Sequence, residues 1–214
     1  SNGFLYLTTN RGISWNQVGP TQPGSGKPLD GEPPFDAPGT TFMSGSWQAS
    51  SMSLSGDTII VGNYMDYLYI SKDKGQNWEQ INFSGSTQFW KSISMSFNGQ
   101  FIFILENDGR LYLSSNGGTS WIEKQPAGDN AKNWFSITSS SNGAKIIAAV
   151  NGGRLYKSSN YGDNWQQLEP KEIDNAWYST SANKDGQIVI AAVNNGGLYL
   201  TSDGGNNWFV TGPV

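Results

Sequence analysis

Residues 114–121 read Ser-Ser-Asn-Gly-Gly-Thr-Ser-Trp, and the same eight-residue pattern returns at 8–15, 71–78, 158–165 and 201–208. Every copy opens on Ser or Thr and has Asn or Asp third, Gly fifth and Trp eighth. The copies supply Asn10, Gly12 and Trp15; Asp73, Gly75 and Trp78; Asn116, Gly118 and Trp121; Asn160, Gly162 and Trp165; and Asp203, Gly205 and Trp208. This is the chemistry of a locked turn. A short Asn or Asp side chain accepts backbone N–H bonds across a loop. Glycine takes a positive φ that a Cβ resists. The leading hydroxyl adds a bond, and the indole covers the loop with a large apolar ring.

Outward from the box the spacing stays rigid. Nine positions before each box tryptophan stands the tyrosine of a Leu-Tyr pair: Tyr6, Tyr69, Tyr112, Tyr156 and Tyr199. Twenty-two positions before the last four of these stands a second tryptophan: Trp47, Trp90, Trp134 and Trp177. Fixed anchors with variable residues between them are the mark of a structural repeat of about 43 residues. One unit reads as strands at Trp134–Ser139, Lys145–Val150, Arg154–Lys157 and Trp165–Leu168. Turns at Asn142-Gly143, Asn151-Gly152-Gly153 and the box separate them. Leu155 and Tyr156 fall on opposite faces of the third strand. No stretch carries a helical period.

Four short antiparallel strands per unit make the blade of a propeller. The expected fold is therefore all-β, a small β-propeller of about five four-stranded antiparallel blades, forming one domain over 1–214. Five third-and-fourth strand pairs are matched by only four first-and-second pairs, so about eighteen strands are expected and one blade is incomplete. Closure of the ring within one chain, with one thin blade, is the expectation; a missing flanking segment and pairing of open edges between chains are the alternatives, and a monomer or a small homo-oligomer is expected. The step from a box tryptophan to the next first strand is 12 or 13 positions, except from Trp15 to Trp47, where it is 32. The insertion at 19–46 carries six of the nine prolines. It reads as an extended loop laid over a surface, and as one place to look for binding.

Composition removes several kinds of function. Thirteen basic and 17 acidic residues give a net charge of -4 without any basic run, which argues against nonspecific nucleic-acid binding. There is no Cys and no His, so disulfides, thiolate or imidazole catalysis and the usual zinc sites are absent. The boxes are not acid-rich enough for calcium, and neither metal nor cofactor is expected. No apolar run is long enough to span a membrane.

The five copies of the box make the chain resemble the Asp-box family, also called bacterial neuraminidase repeats, whose pattern is Ser/Thr-x-Asp-x-Gly-x-x-Trp. That resemblance implies a propeller. It does not imply one activity, because the family includes sialidases and other glycosidases, sortilin-type receptor ectodomains, photosystem assembly factors and non-enzymatic proteins. A sialidase, by the same resemblance, needs three arginines for the substrate carboxylate, a Tyr nucleophile with a Glu partner and an Asp acid/base. This chain has only Arg11, Arg110 and Arg154; Arg110 and Arg154 stand at equivalent positions leading into the Leu-Tyr strand, but Arg11 sits inside a box turn and nothing recruits it as the third. A general glycosidase needs two facing carboxylates, and Glu32 and Asp36 are a candidate acidic pair in the insertion.

The expected role is a non-catalytic binding module for carbohydrate or a protein partner, in a secreted or cell-surface setting. A sialidase-type hydrolase and a purely structural scaffold are the alternatives. The candidate ligand-binding residues are Trp47, Trp90, Trp134 and Trp177 as sugar-stacking platforms, with the variable neighbours Gln48, Lys91 and Tyr178. Packing between blades explains the same four indoles equally well. Exposed indoles would favour a glycan ligand; buried ones would favour a protein partner.

Overall fold

Short runs of β-branched and aromatic residues between Gly-containing turns form short antiparallel strands. The structure, a computed structural model, describes residues 4–20, 45–83, 88–128, 130–170 and 175–212, the side chains of 65 and 66 excepted. A hairpin of β1 (Leu5–Leu7) and β2 (Asn16–Val18) comes first. Four four-stranded units follow in chain order. The first holds β3 (Trp47–Met52), β4 (Ile59–Asp66), β5 (Leu68–Ser71) and β6 (Glu79–Ile81). The second holds β7 (Gln88–Met95), β8 (Ile102–Glu106), β9 (Leu111–Ser114) and β10 (Ile122–Lys124). The third holds β11 (Trp134–Ser139), β12 (Ile146–Gly153), β13 (Leu155–Ser158) and β14 (Gln166–Leu168). The fourth holds β15 (Asn175–Ala182), β16 (Val189–Val193), β17 (Leu198–Thr201) and β18 (Phe209–Thr211).

Two second strands overrun their own units. Tyr64 and Asp66 of β4 pair with Phe89 and Gln88 of β7, and Asn151 and Gly153 of β12 pair with Ala176 and Asn175 of β15. The four units therefore join two by two into curled eight-stranded sheets. Asn151-Gly152-Gly153 makes the expected turn, with Gly152 at φ +74° and the Val150 N–H donating to the Arg154 carbonyl (3.1 Å), and Asn151 and Gly153 also reach across to pair with the next unit.

Alternation along each strand gives every unit two apolar faces, one toward the unit before it and one toward the unit after it. Phe103, Leu105, Leu111 and Leu113 of the second unit pack against Trp134, Ile137, Ile146, Ala148 and Tyr156 of the third. Ile60, Leu68 and Ile70 pack likewise against Trp90, Ile93, Ile102 and Ile104. Ile147, Ala149, Leu155 and Leu168 meet Trp177, Val189, Ala191 and Tyr199. Leu5 and Leu7 of the first hairpin meet Ile59, Val61 and Tyr69. Leu155 and Tyr156 do point to opposite faces, and each is buried in a different junction. Burial of apolar area at these junctions is the main term holding the units together.

The inner strands β3, β7, β11 and β15 lie side by side in that order. Among the described residues no comparable packing returns from β15 to β3, and β1 pairs only with β2. The arrangement is propeller-like and incomplete. Among the described residues the ring closure expected from the sequence is not formed.

The boxes are built as their chemistry requires. The leading hydroxyl accepts a hydrogen bond from the box glycine N–H (2.8 Å at Ser71 and Gly75, 2.8 Å at Ser114 and Gly118, 2.9 Å at Ser158 and Gly162). The same hydroxyl donates to the third residue's Oδ1, which in turn accepts the N–H of the seventh residue, as at Asp203 and Asn207. The indole Nε1 of Trp78, Trp165 and Trp208 donates to the carbonyl of its own box glycine.

Where the third residue is Asp, these bonds act on its ionisation. The Asn207 backbone N–H and side-chain amide, with the Thr201 hydroxyl, hold the Asp203 carboxyl well below the ordinary carboxylate range against a smaller effect of burial. At Asp73 burial is the largest influence and pushes upward, but hydrogen bonds from Asn77, Ser71 and Gln76 together outweigh it and leave the carboxyl lowered. A carboxyl lowered on folding contributes stability that is complete above the unfolded value of about 3.9 and is lost as pH falls through the folded value. Substituting both with asparagine, which already fills the other three boxes, keeps the acceptor and removes the titration. The double Asp73→Asn, Asp203→Asn protein is therefore expected to lose less thermal stability than the parent as pH drops below about 4. Melting curves across that range check it.

Candidate functional site

Strand order places the box turns and the first-to-second-strand turns at one end of every unit. The second-to-third turns and the links between units occupy the other end. At the box end a chain of backbone bonds along the inner edge ties each unit to the next. Leu54 N–H donates to the Phe97 carbonyl (2.8 Å), Phe97 N–H to Ser141 (2.7 Å) and Ser141 N–H to Lys184 (2.8 Å). Variable side chains are presented at the opposite end, where each first strand begins.

The second tryptophan column lies there but does not face solvent. Trp90, Trp134 and Trp177 are 2%, 2% and 1% exposed, and Trp47 is half-buried. The rings meet the tyrosines of their own units edge-on: Trp134 and Tyr156 at 5.5 Å, Trp177 and Tyr199 at 5.1 Å, Trp47 and Tyr69 at 6.1 Å. Trp90, Trp134 and Trp177 are thus core residues of the junctions and have no free face for a sugar. The stacking-platform expectation for them is corrected to packing between blades. The reason is geometric: each indole points at the preceding unit, whose apolar side chains cover it.

The neighbours of that column behave differently. In all four units the ladder between first and second strands slips by one residue just after the tryptophan, at Trp47/Ala49, Trp90/Ser92, Trp134/Ser136 and Trp177/Ser179. The skipped residues are Gln48, Lys91, Phe135 and Tyr178. A bulge leaves its extra residue out of the pairing and re-aims its side chain. Repetition of the bulge on adjacent inner strands brings three of these residues into one row. Lys91 Nζ stands 3.8 Å from the Phe135 ring centre, and the Phe135 and Tyr178 rings are 4.6 Å apart and tilted by 42°. Tyr178 and Gln48 are exposed.

The serines that follow hold the row in register. Ser92 Oγ accepts the Ile137 N–H (3.1 Å), and Ser136 Oγ accepts the Thr180 N–H (2.9 Å) from the next inner strand. The aromatics Tyr64 and Phe89, whose roles the sequence does not reveal, form a further half-exposed edge-to-face pair at 5.1 Å on the same rim. An open cleft of about 310 Å³ also lies at this end, lined by Lys132, Gly152, Gly153, Arg154, Tyr156 and Gln167.

Groups of potential catalytic use are dispersed. Arg110 Nε pairs with Glu123 in its own unit (3.4 Å), Arg154 lines the cleft of the third unit, and Arg11 is exposed in the first box. Tyr112 OH donates to Glu106 (3.4 Å). Burial first, and then the Glu106 and Glu123 carboxylates, push this phenol up to about 12, the opposite of what a tyrosine nucleophile needs. Burial likewise raises Glu106, in spite of hydrogen bonds from Arg110 N–H and Tyr112. Glu32 and Asp36, with most of the 19–46 insertion, lie outside the described residues. Among the described residues no three His, Cys, Asp or Glu side chains gather as a metal-binding group, and no helix is long and apolar enough to cross a membrane.

Solved structures share the fold at low identity. A YCF48 from Cyanidioschyzon merolae matches with a TM-score of 0.60 and 15% identity over 79% of this chain and 56% of that one. A second YCF48 structure, described as bound to D1 peptide, matches at 0.50 and 14% over 78% and 81%. The GH74 xyloglucanase from Xanthomonas campestris matches at 0.63 and 15% over 98% of this chain and 34% of that one. The chain thus spans little more than half of the first relative and about a third of the xyloglucanase. No curated protein sequence matches. Residues 66–191 do match the Sortilin-Vps10 family model, described as sortilin, neurotensin receptor 3. That match covers more than half of the protein and takes in the second and third four-stranded units whole and the first and fourth in part, so the chain belongs to the Sortilin-Vps10 family.

Proposed function

We propose that this chain is a non-catalytic binding module and that its ligand is a protein partner, taken as a peptide segment across the rim that carries Lys91, Phe135 and Tyr178. The observation behind this reading is the row of bulged residues. Three successive inner strands put a cation and two aromatic rings in line at one end, while the indoles that would have made sugar platforms are buried. Aromatic anchors with a cation beside them are the side chains that dominate protein interfaces. Lys132 and Arg154 in the neighbouring cleft offer positive charge to a partner's carboxylates. A peptide-bound structure among the YCF48 relatives is in keeping with this choice. A secreted or cell-surface setting goes with it, as does a scaffold role in which the bound partner is another component of an assembly.

Carbohydrate is the second reading, favoured by the exposed Tyr178 ring and by the GH74 fold relatives. Binding of the parent protein and of the Phe135→Ala, Tyr178→Ala double variant to a peptide library and to a glycan array separates the two. The expected result is saturable peptide binding that weakens at least about 30-fold in the variant, equivalent to about 2 kcal/mol. Saturable glycan binding without peptide binding would overturn the choice of ligand. Peptide binding that ignores both substitutions would overturn the choice of site.

A further inference from the structure

Every link that contains undescribed residues runs from a fourth strand to the next first strand, at the rim. The turns of the box end are described throughout, and a second cleft lies among them. It has a volume of about 360 Å³ and sits between the first-to-second-strand turns of the third and fourth units. Ser141, Asn142 and Lys145 line one side; Asn183, Lys184 and Asp185 line the other. The two sides are held together by the Ser141 N–H, which donates to the Lys184 carbonyl (2.8 Å). The Lys145 stem is fixed as well: a carbon added at Gly186 would stand 3.0 Å from its Cβ and 3.2 Å from its Cδ.

The polar atoms of this lining are used unequally. Its side-chain oxygens are spent on the turns themselves. Asn142 Oδ1 accepts the Ser140 hydroxyl (2.8 Å) and the Ala144 N–H (3.0 Å), and Asn183 Oδ1 accepts the Ile188 N–H (3.0 Å). Its donors are not spent. Among the described residues no hydrogen bond or ion pair ends on the Asn142 amide nitrogen, the Ser141 hydroxyl or the Lys145 and Lys184 amines. Other lysines near the box end do have partners: Lys74 meets Asp57, Lys124 meets Asp163 and Lys157 meets Asn206.

The turns do not need these two charges. In place of Lys184 the other three have Leu54, Phe97 and Ser141, and in place of Lys145 they have Thr58, Phe101 and Ile188. Asp185 is the one acid of the lining. Its hydrogen bond from the Gln187 N–H (2.9 Å) is the main cause that holds it below the ordinary carboxylate range, with help from Asn183 and the Lys145 charge. The cleft thus carries two positive charges and one negative, with neutral donors between them and few acceptors to offer.

We infer that this cleft binds a small molecule through an oxyanion, a carboxylate, sulfate or phosphate group held by the Lys145 and Lys184 amines beside the Asn142 amide and the Ser141 hydroxyl. Such a group brings the acceptors that the lining lacks, and bonds from charged donors are the stronger kind. The volume is that of a small-molecule site. The site stands apart from the rim and takes a different ligand.

Titration of the isotope-labelled protein with sodium phosphate, sodium sulfate and sodium glucuronate at constant ionic strength tests it, read by amide NMR. At least one of the three is expected to shift the Asn142 side-chain amide and the Lys184 backbone amide saturably. The one that saturates at the lowest concentration identifies the group. Lys145→Gln and Lys184→Gln are each expected to weaken binding by about fivefold, the upper end for one exposed charge pair. Asp185→Asn keeps the turn acceptor, as Asn98 and Asn142 do at the same position. It is expected to tighten binding by about the same factor. The Phe135→Ala, Tyr178→Ala double variant is expected to bind the anion as the parent does, so the result is independent of the rim. Unchanged amide signals outside these two turns show that each variant is folded. If none of the three anions saturates the Asn142 signal, the inference is overturned. Equal affinity in the parent and both lysine variants also overturns it, because the attraction is then diffuse.

Discussion

Replacing Trp134 with alanine is expected to lower the unfolding free energy by about 3–5 kcal/mol, the range for removing a buried aromatic ring from a packed core. Trp134 is 2% exposed, lies against Phe103, Leu105, Leu111 and Leu113 of the preceding unit and meets Tyr156 edge-on. Its loss removes transfer energy and leaves a cavity between two sheets whose backbones are held apart by their own ladders, so the site collapses poorly. Set against a typical total of 5–15 kcal/mol, the loss is enough to unfold a large fraction of the chain at modest urea concentrations. Trp15→Ala is the control. It removes the same side chain from an exposed site and is expected to change the stability of the single chain by less than about 0.5 kcal/mol. Urea titrations of both variants at low protein concentration give the comparison. A Trp134→Ala protein as stable as the parent would mean that the junction is not where the fold is held.

The contrast between those two tryptophans also shows what a sequence reader sees and what stays hidden. Eighteen strands, their order and the box turns were legible, because each depends on local chemistry repeated five times: a hydroxyl, an Asn or Asp, a Gly and a Trp at fixed offsets. The opposed faces of Leu155 and Tyr156 were legible from alternation alone. Whether Trp134 or Trp177 is exposed was not, since equal spacing results both from a column on the rim and from a column in the junctions. The tilt between successive sheets decides it, and no residue encodes that tilt locally. The bulges at Gln48, Lys91, Phe135 and Tyr178 leave no composition mark either. Phe135 meets Tyr178 only because neighbouring inner strands lie side by side, a contact across 43 positions. The odd half-unit was visible as a count of strand pairs.

Gly118→Ala is expected to destabilise the fold by about 2–3 kcal/mol, through two causes that a second substitution separates. Gly118 has φ +83°, a backbone region that carries a cost of about 1–2 kcal/mol for a residue with a Cβ. A Cβ there would also stand 2.6 Å from Ile70 Cδ1 of the preceding unit, so the isoleucine has to turn away inside a packed junction. Gly56 has a similar φ of +74° with nothing within 4 Å of the added carbon. Gly56→Ala therefore carries the backbone cost alone. The difference between the two variants measures how tightly the box is pressed onto the unit before it. Adding Ile70→Val to Gly118→Ala removes the Cδ1 that collides, and is expected to recover the packing share while leaving the backbone share in place. Equal losses for Gly118→Ala and Gly56→Ala would mean that the box is only a turn, and that the indole and tyrosine beside it carry the whole junction.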